Sequence, residues 1–167
     1  MMAAQIIKLE KEQMPPARFI GRRYGMEQQV NGSFSHLWAS WFAEDLFAPL
    51  EALPPLAENQ DSYVALMRMA ENGPEYWIGM FFPLGTEAPA GYAAADLPAM
   101  DYAVAWLYGD EQSGELYTMH EACVAALEAK GFRTAEPVCC FERYVCPRFT
   151  TPDQLGKVIL DYGIAVE

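Results

Sequence analysis

The first half of the chain alternates between two hydrophobic periods, one typical of strands and one typical of helices. Pro16–Gly25 carries apolar Phe19 and Ile20 and has basic residues toward its outer end, which predicts a strand. Apolar side chains then recur at the spacing of an amphipathic helix: Phe34, Leu37, Trp38, Trp41 and Phe42. Ser62–Ala70 and Glu75–Pro83 return to strand patterns, with a turn signal between them. This half therefore predicts the order strand, helix, strand, strand.

The second half repeats that order. Met100–Gly109 predicts a strand, and residues 114–131 predict a helix that ends at a glycine. The apolar stripe of this helix comprises Leu116, Met119, Cys123 and Leu127. Residues 138–145 and 157–166 predict the last two strands. The segment PLGTEAPAG joins the two halves.

The repeated order indicates one domain over residues 1–167, made of two similar halves at about 1–83 and 91–167. A duplicated strand–helix–strand–strand unit predicts an α+β fold, in which both helices cover one face of an antiparallel sheet. A pseudo-twofold axis would relate the halves. The seam between them is the natural place for a ligand cleft.

Composition narrows the classes of function. The formal net charge is −12, with 23 acidic against 11 basic residues, so the chain would repel nucleic acid. This acidity favours cationic ligands, although solubility alone also accounts for it. No apolar run is long enough for a membrane helix, and the N-terminus becomes charged too early for a signal peptide, so we expect a cytoplasmic protein. The four cysteines form no CxxC pair, so we expect neither a metal nor a cofactor.

Three short motifs resemble those of the GyrI-like small-molecule-binding family: LPAMDYAV at 97–104, EYWIG at 75–79 and FERY at 141–144. They occur in the family's order and extend over nearly the whole chain. The resemblance implies two ββαββ-like halves around a ligand cleft. It is the architecture of the effector-binding domain of AraC- and MerR-type multidrug regulators, here expected to stand alone.

Glu142 lies in the middle of an otherwise apolar predicted strand. Side chains alternate across a strand, so Cys140, Glu142 and Tyr144 share one face, and Arg143 points to the other. Spacing alone favours a solvated carboxylate or a simple ion pair. The resemblance implies instead that Glu142 is the central acid of the ligand cleft, flanked by Tyr144. We interpret Arg143 as a surface or rim residue.

Aromatic residues supply the other candidates for the ligand site. Flat rings bind flat or cationic ligands by stacking and cation–π contacts. The candidate rings besides Tyr144 are Trp77, Phe81, Tyr102, Trp106, Tyr108 and Tyr117. Gly79 shares a face with Trp77 and Phe81; we favour the interpretation that it leaves room for a ligand, and the alternative is a bulge or tight packing. The set from Tyr102 to Tyr108 fits a core layer equally well, and we interpret Trp38, Trp41 and Phe42 as core.

Three functions remain open. The first is a binding module for aromatic, amphipathic or cationic small molecules. The second, implied by the resemblance, is a hydrolase that opens strained cyclopropane rings of alkylating natural products. In it Glu142 would position or activate water, and Tyr144 or Tyr108 would donate a hydrogen bond or a proton. The third is an acidic protein-interaction role that modulates gyrase. An uncovered sheet edge would also allow a homodimer.

Overall fold

The computed structural model describes residues 4–59 and 61–167. These residues form eight strands and three α-helices, together with three short 3₁₀ turns. The first half contains β1 (Gln5–Met14), β2 (Ala17–Tyr24), α1 (Ser35–Ala43), α2 (Ala48–Glu51), β3 (Tyr63–Ala70) and β4 (Gly73–Pro83). The second half contains β5 (Ala93–Leu97), β6 (Met100–Gly109), α3 (His120–Ala129), β7 (Cys139–Tyr144) and β8 (Val158–Val166).

The eight strands form one antiparallel sheet with the order β1-β6-β8-β7-β3-β4-β2-β5. The order β2-β4-β3 of the first half mirrors the order β6-β8-β7 of the second, and β3 pairs with β7 at the centre. The predicted α+β fold is thus confirmed. Each half begins with an additional strand, β1 or β5, that the hydrophobic pattern does not predict, because both are edge strands with exposed polar or small residues.

The two additional strands are exchanged between the halves, and this exchange curls the sheet. β1 pairs with β6 of the second half, and β5 pairs with β2 of the first half. Only two residues connect β1 to β2, and two connect β5 to β6, although the strands in each pair lie far apart in the sheet order. The edges must therefore approach each other, and Met14 and Leu97 share one core cluster. The helix-free face is consequently filled by the protein's own side chains.

Both principal helices pack on the opposite face of the sheet, as predicted. α1 buries Trp41 against Ile20 and Ile78 of the first half. α3 buries Cys123 and Leu127 against β6 and β8 of the second half. The central strands β3 and β7 lie between the two helices and are left uncovered at the seam. None of the helices in the described ranges is both long enough and apolar enough to cross a membrane.

Gly79 serves strand packing and leaves no room for a ligand. It lies directly opposite Gly21 in the pairing of β2 with β4. A Cβ atom at Gly79 would lie 2.1 Å from the Ile20 carbonyl oxygen, and one at Gly21 would lie 1.9 Å from that of Ile78. Such distances are impossible for a side chain. The two glycines therefore permit a close approach of the strands, and the expectation of a ligand space at Gly79 is wrong.

Arg143 is buried rather than at the surface or rim, with 1% of its surface exposed. It lies beside Asp161 on β8, which is also fully buried, and its Nη2 is 2.9 Å from Asp161 Oδ2. Glu12 accepts a second bond from Arg143, and Arg148 approaches Asp161 from the loop that follows β7. This network pairs the Nε and Nη2 atoms of the buried guanidinium with carboxylates, while its Nη1 has no hydrogen-bond partner among the described residues. The sequence pattern does not reveal this network, because its carboxylates come from β1 and β8, which are separate from β7 in the sequence.

Removing Asp161 should destabilise the protein more than removing an exposed aspartate. Asp161→Asn would leave two arginines without their shared carboxylate, so the free energy of unfolding should fall by about 3–5 kcal/mol. Asp101→Asn removes only a partly exposed partner of Lys11 and should cost less than about 1 kcal/mol. Urea unfolding of the two variants measures both values. Equal losses would contradict the assigned role of Asp161.

Candidate functional site

A cavity of about 1470 Å³ opens at the seam between the two halves, on the face that carries the helices. Its floor is formed by β3, β4 and β7, and α1 forms one wall. The 3₁₀ turn Glu115–Thr118, just before α3, contributes Tyr117 from the second half. The cavity lies where the pseudo-twofold relation between the halves predicts a cleft.

Glu142 lies at the floor of this cavity. Its strand neighbours are Ala65 on β3 and Tyr162 on β8. The side chain is partly accessible and lines the cavity. The Tyr144 hydroxyl donates a hydrogen bond to Glu142 Oε1 at 2.9 Å. No ion pair to Glu142 is present among the described residues.

The surroundings of Glu142 disfavour its charged form. Burial raises the pKa of Glu142 from 4.5 to about 7, against a smaller opposite effect of the Tyr144 hydrogen bond. Burial and the neighbouring Glu142 charge also raise the pKa values of Tyr76, Tyr117 and Tyr144 well above the usual range, so these hydroxyls stay protonated and can donate hydrogen bonds. A cation entering the cavity would relieve the unfavourable energy of the carboxylate.

Aromatic rings form the walls beside Glu142. Phe34 and Tyr76 are stacked, with ring centroids 3.8 Å apart. Trp38 lies edge-on to Tyr144 at 4.9 Å, and its indole nitrogen donates to the Tyr76 hydroxyl at 2.8 Å. Phe149 contacts Tyr144 from the other side at 4.8 Å. These contacts fix the orientation of the rings, so the cavity has flat apolar walls before any ligand binds.

All charged side chains among the described lining residues of the cavity are acidic. Of its described lining residues, four are carboxylates, namely Glu51, Asp61, Glu111 and Glu142, and none is a lysine, arginine or histidine. The described residues contain no group of three or more side chains placed to hold a metal ion. The cavity therefore combines an apolar aromatic interior with an unbalanced negative charge.

The structure brings three of the sequence-predicted site residues together. Glu142, Tyr144 and Tyr117 line the cavity. The other five lie on the opposite face of the sheet and do not line it: Trp77, Phe81, Tyr102, Trp106 and Tyr108. The pairing register explains the separation, because Leu66 lies opposite both Trp77 and Phe141, and Phe141 points away from Glu142.

Rings on that opposite face already have partners within the protein. Tyr102 is fully buried against Phe141, with centroids 4.9 Å apart. Lys8 and Arg148 lie over the Trp106 ring, at 4.2 Å and 4.3 Å from its centroid. Tyr108 donates a hydrogen bond to Asp153. This face therefore offers core packing and internal cation–π contacts.

Several wall residues were not predicted as site residues. Trp38 and Phe42 were interpreted as core, yet both line the cavity and Phe42 is 61% exposed, whereas Trp41 is buried as expected. Tyr63 and Tyr76 also line it, and were not singled out from their strands. The sequence does contain an indication of this. The apolar stripe of α1 is wider than its contact with the sheet requires, so some of its rings are left to line a cavity.

Comparison with known proteins finds similarity in the three-dimensional fold and none in the sequence alone. No family model and no curated protein matches the sequence. SAV2435 bound to tetraphenylphosphonium is similar with a TM-score of 0.72 and 17% identity, covering 96% of this chain and 94% of that one. A Staphylococcus aureus MU50 protein assigned to bacterial transcription regulation is similar with a TM-score of 0.70 and 18% identity, covering 96% of this chain and 98% of that one. The EcmrR C-terminal domain is similar with a TM-score of 0.63 and 12% identity, covering 96% of this chain and 97% of that one.

The raised pKa of Glu142 predicts a pH-dependent cost to stability. The Glu142 carboxyl group loses its proton near pH 4.5 in the unfolded chain and near pH 7 in the folded chain. The folded state therefore binds more protons between these pH values, and its stability falls as pH rises. Glu142→Gln should therefore become more stable than wild type across this window, by about 1–3 kcal/mol above about pH 7. Urea unfolding at a series of pH values measures the difference. A difference that does not change with pH would contradict the burial of Glu142.

Proposed function

Because the chain has the GyrI-like fold that its motifs predict, we propose that it binds lipophilic organic cations in the cavity at the seam. Glu142 supplies the opposite charge, and the rings of Trp38, Tyr76 and Tyr144 supply apolar and cation–π contacts. The proposal retains Glu142, Tyr144 and Tyr117 from the sequence-based site and replaces the five rings of the opposite face with those of the cavity.

The observation that carries the proposal is the buried carboxylate without a basic partner. An acid in such surroundings is costly in the charged form, so a cation that shares its cavity gains more than the same cation would gain at the surface. Cation–π contacts add about 0.5–2 kcal/mol for each well-placed ring. A neutral ligand of the same shape would gain the ring contacts but not the charge interaction.

The fold neighbours support the same class of ligand. The structure of SAV2435 contains bound tetraphenylphosphonium, which is a large aromatic cation. Its likeness to this chain at 17% identity concerns the fold. The assignment of a similar ligand here therefore depends on the rings and the acid of this chain, and tetraphenylphosphonium is a suitable first probe.

A second candidate, hydrolysis of strained cyclopropane rings, is favoured by the contact between Glu142 and Tyr144. A carboxylate with a pKa near 7 can accept a proton from water at neutral pH. The water oxygen would then bond to a ring carbon as the carbon–carbon bond breaks. Tyr144 would donate its proton toward the group that receives the bonding electrons and would regain a proton from Glu142, to which it is hydrogen-bonded, so the net change is addition of water.

Binding of tetraphenylphosphonium tests the primary proposal. Isothermal titration calorimetry at about pH 8 ensures that Glu142 is ionised. Glu142→Gln should weaken binding about tenfold or more, which corresponds to about 1.4 kcal/mol or more. Glu58→Gln, an exposed change of equal charge outside the cavity, should leave affinity within a factor of about two.

Neutral triphenylphosphine oxide separates charge from shape in the same experiment. It should bind more weakly than the cation, and Glu142→Gln should not weaken its binding. If Glu142→Gln bound tetraphenylphosphonium as tightly as wild type, Glu142 would have no part in ligand binding.

Incubation with a cyclopropane-bearing alkylating compound tests the second candidate. Mass spectrometry should detect a product heavier by one water molecule, formed by wild type and not by Glu142→Gln. A rate equal to that of the buffer would exclude this reaction for that compound and would leave the binding proposal unaffected.

A further inference from the structure

A second cavity, of about 640 Å³, lies where β2 ends and β5 begins. It shares no described lining residue with the cavity at the seam. Three arginines line it, Arg22, Arg23 and Arg68, and Asp96 is the only carboxylate among its described lining residues. We call it the arginine cavity. Three of the 11 basic residues of a chain with a net charge of −12 therefore surround one cavity.

The carboxylate of Asp96 does not neutralise these arginines, because it is already paired with Arg18. Arg18 Nε donates to Asp96 Oδ1 at 2.7 Å, and its Nη2 donates to Oδ2 at 3.1 Å. Such a bidentate pair engages both carboxylate oxygens. Arg22 forms no ion pair among the described residues, and its guanidinium lies over the Tyr92 ring at 5.5 Å. The charge of Arg22 is therefore uncompensated.

Glu75, from the EYWIG motif, holds the other two arginines in place. Its Oε1 accepts bonds from Arg68 Nε and Trp77 Nε1, both at 3.0 Å. Its Oε2 accepts a bond from Arg23 Nη1 at 3.3 Å. One carboxylate thus balances only one of the two guanidinium charges, and the remaining nitrogens of Arg23 and Arg68 have no carboxylate partner in the described ranges. Guanidinium groups oriented in this way present N–H donors that match the oxygens of carboxylates and phosphates.

The end of β2 adds a backbone donor to the cavity. β5 begins at Ala93, opposite Gly21, whereas β2 continues to Tyr24 and pairs with β4 over its full length. Neighbouring residues of a strand direct their N–H groups to opposite sides, so either Arg23 or Tyr24 directs its N–H away from β4, beyond the start of β5. Within the described residues, no loop or turn bonds to this N–H. It is therefore available to a ligand.

We propose that the arginine cavity is a second ligand site, which binds the phosphate or carboxylate group of an anionic small molecule. Arg22 and the free N–H groups of Arg23 and Arg68 pair with the oxygens of that group, and the backbone N–H supplies a further bond. The overall negative charge of the protein disfavours anions elsewhere, so binding depends on these arginines and not on a general attraction. The inference is independent of the proposed function, because the two cavities share no lining residue.

Inorganic pyrophosphate and citrate are suitable probes, because they present the two kinds of oxyanion. Isothermal titration calorimetry at a constant ionic strength of about 0.15 M limits long-range effects of charge. Wild type should bind at least one of the two anions, and the tighter one identifies the preferred group. The Arg22→Gln, Arg23→Gln double variant should weaken that binding about tenfold or more. Lys11→Gln, Arg133→Gln removes the same charge from exposed positions outside the cavity and should leave affinity within a factor of about two.

A second pair of variants keeps every arginine and the bonds to Glu75. Ala93 is exposed and lines the arginine cavity. Ala93→Glu would place a carboxylate beside the arginines, where it competes with the anion, so affinity should fall about tenfold. Ala93→Gln has the same size without the charge and should retain most of the affinity.

Nuclear magnetic resonance locates the bound anion. The indole N–H of Trp77 is bonded to Glu75 at the arginine cavity, whereas Trp38 lines the cavity at the seam. The anion should shift the indole resonance of Trp77, assigned with Trp77→Phe, and leave that of Trp38 in place. If neither anion bound wild type at millimolar concentration, the site would be refuted. Equal affinities of wild type and the arginine double variant, or an equal loss in the Lys11 and Arg133 control, would refute it as well.

Discussion

The separation of an acid from a base on one strand is the constraint on which the site depends. Glu142 and Arg143 are neighbours in sequence, yet the pleat of β7 directs them to opposite faces of the sheet. Arg143 is neutralised there by Asp161 and Glu12, which hold it in a buried network. Because the base is paired with carboxylates on its own face, Glu142 receives no compensating charge from it. The negative charge in the cavity is thus a consequence of strand alternation together with burial.

The curl of the sheet decides which face can hold a ligand. The exchanged edge strands bring Met14 and Leu97 into one cluster, and aromatic side chains fill the space between them and the central strands. A close-packed interior of this kind leaves no volume for a ligand between the edge strands and the central strands. On the other face the two helices are set apart along the sheet, so the central strands remain open between them. The cavity exists because each half supplies one helix and neither helix covers the seam.

The sequence predicts the repeated unit and the seam between its two copies, because both depend on the local periodicity of successive segments. It also places Glu142 and Tyr144 on one face, because alternation within a strand is local. It cannot place Trp77 relative to Glu142, since β3 lies between them and a register shift of one residue would move Trp77 to the other face. The edge strand β1 escapes prediction for a related reason: its exposed charged residues give no apolar alternation.

Contacts among the cavity rings explain how a space lined by apolar groups stays open. The bond from Trp38 to Tyr76 and the stacking of Tyr76 on Phe34 fix rings from α1, β4 and the segment before α1 relative to one another. On the other side, Tyr144 is held between Trp38 and Phe149, and its hydroxyl is bound to Glu142. Rings fixed in this way lose little conformational entropy when a ligand binds, so most of the interaction energy contributes to affinity. The cost of keeping the carboxylate buried is met in the unliganded protein, and a cation recovers it on binding.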